Sequence, residues 1–131
     1  MKGYLLDTHA WFWYLEGKRK LSHRAIRIIG DTNPHDLYLS PISVWEVGML
    51  FRKGRLTLAK QFDDWLSDAI SHLPLRELAL SNVVATRAYY IPLEHDDPAD
   101  RLIAATAVVH NLTLITADHR LVGHDWLKTL S

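Results

Sequence analysis

Apolar residues recur along the chain in short runs that switch between a strand-like and a helix-like spacing. Tyr4-Leu5-Leu6 is a brief apolar run that ends at Asp7 and predicts a buried strand. A helical run over 9–15 follows and stops at Gly17, a residue suited to closing a helix. Ser22 is placed to cap a second helix, whose apolar positions Ala25, Ile26 and Ile29 precede Gly30. Leu37-Tyr38-Leu39 predicts the next strand. Ser40 and Pro41 then pair an N-cap with a proline in the first turn, and Gly54 closes that helix. Phe62, Trp65, Leu66, Ala69 and Ile70 repeat at helical spacing, with Asp63, Asp64 and Asp68 on the opposite side. A further strand is expected within 75–80. Ser81 caps a helix ending before Pro92, and Asp97-Pro98 starts one that runs to about His110. Residues 112–116 alternate as a strand, and Ala117-Asp118 turns out of it.

Strand and helix alternate along most of the sequence, which favours a three-layer α/β domain with a central, mostly parallel sheet. No repeat, low-complexity tract or linker divides the 131 residues, so one domain spanning 1–131 is expected. In such sheets ligands sit beyond the carboxyl ends of the strands. Asp7 follows the first strand, and Asp118 lies two residues past the last. Glu46 stands about two turns into the helix that opens at Ser40, among apolar Ile42, Trp45, Met49 and Leu50, and is expected to face inward. Asp100 falls in the first turn of the helix capped at Asp97.

Composition limits what these acids can do. The chain has 15 basic and 15 acidic residues and a formal net charge of zero, so bulk electrostatic binding of nucleic acid is disfavoured. Bound cations would escape that count. The sequence has no cysteine, which excludes disulfides and thiolate metal sites and fits a reducing cytoplasm. The apolar stretch 4–15 is interrupted by Asp7 and His9 and lacks a small-residue cleavage site, so neither a signal peptide nor a membrane span is expected. Oxygen-only donors converging at one sheet edge suit hard cations, Mg²⁺ or Mn²⁺, which activate water against a phosphodiester. Each acid also has a plainer reading. Asp7 and Asp118 could be turn residues, and Asp100 could belong to a capping arrangement with Asp97.

The segments YLLDTHAWFWYL, LSPISVWEVGMLFRKGRL and HDDPADRLIAATAVVHNLTLITADHRL resemble the VapC-type toxins of the PIN-domain family, in order and across nearly the whole chain. The resemblance implies an α/β/α sandwich with Mg²⁺- or Mn²⁺-dependent endoribonuclease activity. It further implies a homodimer and inhibition by a cognate antitoxin whose tail occupies the active-site groove. It maps the catalytic and metal-binding acids onto Asp7, Glu46, Asp100 and Asp118, with Thr8, Asp97 and Thr116 in support. Ala99 departs mildly from the pattern, where such toxins often carry Phe.

Other features fit less specific roles. Arg101 and the run Arg52-Lys53-Gly54-Arg55 could meet RNA phosphates, although a solvated helix end suits the run better. The run Trp11-Phe12-Trp13-Tyr14 is too aromatic for one buried face of a short helix, so part of it is expected at a dimer or antitoxin surface. Among eight histidines, His35-Asp36, His95-Asp96 and His124-Asp125 raise a His/Asp metal site, disfavoured by the α/β pattern. A haloacid-dehalogenase-type phosphatase would need a second acid two residues after Asp7, where His9 stands. A receiver-like phospho-acceptor domain would need an acid pair there and a lysine after the last strand. A catalytically silent interaction module remains a third alternative.

Overall fold

The computed structural model describes residues 3–17 and 20–131. Its strands form one parallel sheet in the order β3-β2-β1-β4-β5, with β1 at Tyr4–Leu6, β2 at Leu37–Leu39, β3 at Arg76–Glu77, β4 at Thr113–Ile115 and β5 at Thr129–Leu130. The helices are α1 (Thr8–Glu16), α2 (His23–Asp31), α3 (Pro41–Arg52), α4 (Phe62–His72), α5 (Asn82–Tyr90) and α6 (Pro98–His110). The three-layer α/β/α sandwich expected from the alternation is what forms.

Register sorts the side chains into two cores. Leu5 pairs with Tyr38 and Leu114, and these three face α5 and α6, meeting Val84, Ala88, Ile103 and Ala104. Leu6 pairs with Leu39 and Ile115 on the other face, against Trp11, Phe12, Ile29, Val47 and Trp65 from α1 to α4. Leu5, Leu6, Leu114 and Ile115 are all 0% exposed, and burying each contributes about 1.5–3 kcal/mol. A strand buried on both faces tolerates no slip, because one residue of shift would exchange its two sets of side chains.

The helix signals act locally. Ser22, Ser40 and Ser81 accept hydrogen bonds from the main-chain N–H groups of Ala25, Ile42 and Val84 at 3.0, 3.1 and 3.2 Å. Gly17 ends α1 in the left-handed conformation, at φ 66°. Two differences from the sequence reading appear. The strand within 75–80 shrinks to Arg76–Glu77, and a final strand β5 forms from a pair of residues too short to show a period. Among the described residues no helix is long and apolar enough to cross a membrane.

Candidate active site

The chain runs outward from β1 to β2 and β3, then crosses back to β4 on the other side of β1. This reversal opens a crevice beyond the carboxyl ends of β1 and β4, where open α/β sheets place their ligands. Asp7 leaves β1 at that point, its main-chain N–H donating to the Ile115 carbonyl of β4 at 3.0 Å. A pocket of about 310 Å³ lies here, lined by Asp7, Thr8, Glu46, Asp100 and Asp118 with His9, Trp13, Ala117 and His119. Residues from three helices and two strand ends thus meet in one place.

Asp7 is only 6% exposed and is also the N-cap of α1, accepting from Ala10 N at 2.8 Å. Burial pushes its carboxyl up to about 6, against the pull of hydrogen bonds from Thr116 and Ala10; Asp100 adds a smaller push. Thr116, fully buried at the end of β4, also accepts from Asp118 N at 3.0 Å, so one hydroxyl ties the two strand-end acids together. Glu46 is half-buried, and burial followed by repulsion from Asp97 and Asp100 raises its pKa while the Thr8 side chain and His9 lower it. Thr8 and Ser43 hold each other, their hydroxyls 3.0 Å apart. Burial also raises Asp100, helped by Asp97 and Asp118 and opposed by His95, whose Nε2 lies 3.0 Å from Asp100 Oδ2. Asp118 moves the other way, held below the usual carboxylate range chiefly by Arg120. Asp97 caps α6, accepting from Ala99 N and Asp100 N at 2.9 and 3.2 Å.

Several expectations need correction. Glu46 was expected inward because its neighbours are apolar, yet Trp45 is 59% exposed. Glu46 is half-buried instead because α3 packs against both α1 and α6 and turns it toward the seam between them. Arg101, a possible phosphate contact from the sequence, turns its guanidinium to the carbonyls of Ile91, Tyr89 and Leu93, donating at 2.7, 3.3 and 3.4 Å. It fastens the connector between α5 and α6 and does not line the pocket. Trp11, expected in part at a surface, is 1% exposed and packs edge-on against Trp65, whereas Trp13 lines the acidic pocket. Sequence reasoning passed over Ser43 and Arg120, and weighed His95 only as half of a His-Asp metal pair and not as a partner of Asp100. Of these only Arg120 carried a local signal, two positions after Asp118 in a turn.

The donor set fits a hard divalent cation: oxygen acids line one pocket, and burial and repulsion oppose the ionisation of Asp7, Glu46 and Asp100 until positive charge arrives, while Asp118 is already paired with Arg120. Among the described residues, no three acidic or histidine side chains close around a single ion as they stand. Arg120 and His95 instead engage Asp118 and Asp100.

A parallel α/β/α sandwich with its acids gathered at the strand-order reversal defines the class, and comparison with known proteins agrees. The PIN domain model matches residues 4–127, and the chain belongs to the PIN-domain family. It is 35% identical over 121 residues to Ribonuclease VapC22 of Mycobacterium tuberculosis (strain ATCC 25618 / H37Rv), covering 92% of this chain and 90% of that one. Similar solved structures include FitAcB from Neisseria gonorrhoeae, at TM-score 0.71 and 26% identity over 98% of this chain and 96% of that one. A toxin-antitoxin complex from Klebsiella pneumoniae shares the fold at TM-score 0.70 and 21% identity, over 98% and 97% of the two chains.

Proposed function

We propose that this chain is an Mg²⁺- or Mn²⁺-dependent endoribonuclease acting as the toxin of a toxin–antitoxin pair, working in the cytoplasm as a single PIN-like unit. The observation that carries the reading is the convergence of Asp7, Glu46, Asp100 and Asp118 on one pocket at the strand-order reversal. These acids would hold the ion, with Thr8, Thr116 and Asp97 fixing their positions through the hydrogen bonds described above. A bound divalent cation supplies Lewis acidity toward a phosphodiester oxygen and a water of lowered pKa. The half-buried Glu46, with its raised pKa, is suited to orient or deprotonate that water. The wall formed by His9 and Trp13, whose rings lie 5.3 Å apart, offers aromatic surface to an unpaired base.

Partners follow from the surface and from the relatives. An apolar groove of about 450 Å³ runs past Val44, Trp45, Leu66, Ile70 and Leu75, with Trp45 and Ile70 59% and 53% exposed. Such a groove suits the apolar face of an antitoxin segment. Val83, Tyr89 and Tyr90 on α5 are 64%, 78% and 70% exposed and supply apolar surface for a homodimer.

The test is cleavage of a single-stranded RNA by purified protein in Mn²⁺ or Mg²⁺ and after exhaustive chelation, beside Asp7→Asn. Cleavage that needs the ion and is lost in the variant supports the reading; equal cleavage in chelator removes the metal mechanism.

A further inference from the structure

Asp118 and Asp100 come from separate elements, and the side chain between them is that of Arg120. This residue lies in the short 3₁₀ turn His119–Leu121, which Asp118 caps by accepting from Arg120 N at 2.9 Å. Its Nε donates to both Asp118 carboxylate oxygens at 3.1 and 3.2 Å, and its Nη2 donates to Asp118 Oδ2 at 2.7 Å and Asp100 Oδ2 at 3.4 Å. One planar fork therefore takes both oxygens of Asp118 and shares one of Asp100 with His95. The two acids have 27% and 15% of their side-chain surface exposed, whereas Arg120 has 54%. It reaches them from solvent and is not locked by packing.

Opposite charge is favourable at this edge, because Asp97 and Asp118 both repel Asp100. An exposed ion pair is held weakly, so a divalent cation that binds the same oxygens can displace it. We propose that Arg120 is a displaceable internal counter-ion: its guanidinium occupies the Asp100–Asp118 edge of the pocket and must leave before both acids can serve a divalent cation. The chain thereby sets its own threshold for loading the site. This inference rests on the metal-dependent reading above.

The experiment titrates Mn²⁺ into chelator-treated, dialysed protein and follows the melting temperature, which rises as the ion binds the native state. Wild type is compared with Arg120→Gln, Arg120→Lys and Arg55→Gln, the last removing the same charge from an exposed position outside the pocket. Arg120→Gln is expected to reach half-saturation at roughly three- to fivefold less Mn²⁺ than wild type, the scale of a lost exposed ion pair. Arg120→Lys keeps the charge but loses the fork, so it should fall between the two. It carries the comparison if the glutamine variant does not fold. Arg55→Gln should stay at the wild-type midpoint. An Arg120→Gln midpoint equal to or above wild type, or lowered no further than that of Arg55→Gln, overturns the proposal. A wild-type melt that Mn²⁺ does not move at all brings down the metal reading itself, a result distinct from equal shifts in wild type and variant.

Discussion

Asp7→Asn in chelator isolates what it costs to keep a charged group inside this fold. The carboxyl is 6% exposed and titrates at about 6 instead of the ordinary 3.8, chiefly because burial penalises its charged form. Between those values the folded chain holds a proton that the unfolded chain has lost. Wild-type stability therefore falls as pH rises through that window; the cost is absent below about pH 4 and complete above about pH 6. Its size is about 3 kcal/mol. Asparagine removes the charge and keeps an oxygen for the Ala10 N–H, but an amide accepts the Thr116 hydrogen bond less well than a carboxylate, an offset of about 1 kcal/mol. The variant should then be about 2 kcal/mol more stable than wild type at pH 7.5, roughly 6–10 °C in melting temperature for a chain of this size. Near pH 3.5 the gain should vanish or reverse slightly. Calorimetric melts of both proteins in EDTA from pH 3.5 to 8 provide the measurement. A difference that stays constant across pH, or a variant less stable at pH 7.5, refutes the claim that burial raises the Asp7 pKa.

Thr116→Val removes the hydroxyl that lowers Asp7, so the inflection in wild-type-like melts should move to higher pH than about 6; an unmoved inflection would deny the contact its role. Glu46→Gln should slow RNA cleavage by at least about a hundredfold, the usual scale for a lost key electrostatic group, while leaving the chelated melt equal or higher. A normal rate in single-turnover assays would return Glu46 to a structural part. Arg101→Met should cost about 2–3 kcal/mol in urea unfolding, since three carbonyls lose a charged donor, yet leave the KM for RNA unchanged at temperatures where the variant is folded. A raised KM in stable protein would restore the phosphate contact.

What the sequence made legible was local. The strand ending at Asp7, the Ser40-Pro41 and Asp97-Pro98 helix starts and the strand before Thr116 each depend on residues within a few positions of one another. The switch in strand order could be used only as a rule about where strands end, and that rule was enough to bring Asp7 and Asp118 to one edge. Side-chain direction across elements was not legible. Trp45 looked like a core neighbour of Glu46 and faces outward, because α3 serves two helical layers and exposes the side away from both. Trp11 looked like spare surface and is buried, because Trp65, over fifty positions away, supplies its partner. His95 and Arg120 joined the site only through the path of a loop and a turn, which no periodicity encodes. The four acids of the pocket were readable from placement and resemblance together, whereas the groups that neutralise them were not.

The segment from Tyr4 to Thr8 packs every one of these tasks into five consecutive positions. Tyr4 and Leu6 serve one core, Leu5 serves the other, Asp7 starts a helix and enters the pocket, and Thr8 meets Ser43. Deleting or inserting one residue here would exchange the two cores, uncap α1 and withdraw the carboxylate in a single step. A molecule that places Asp7 wrongly is therefore also a molecule that has not folded. Copies with one residue deleted or inserted within this segment should yield insoluble chain and no half-active protein, so the error is discarded along with the chain that carries it.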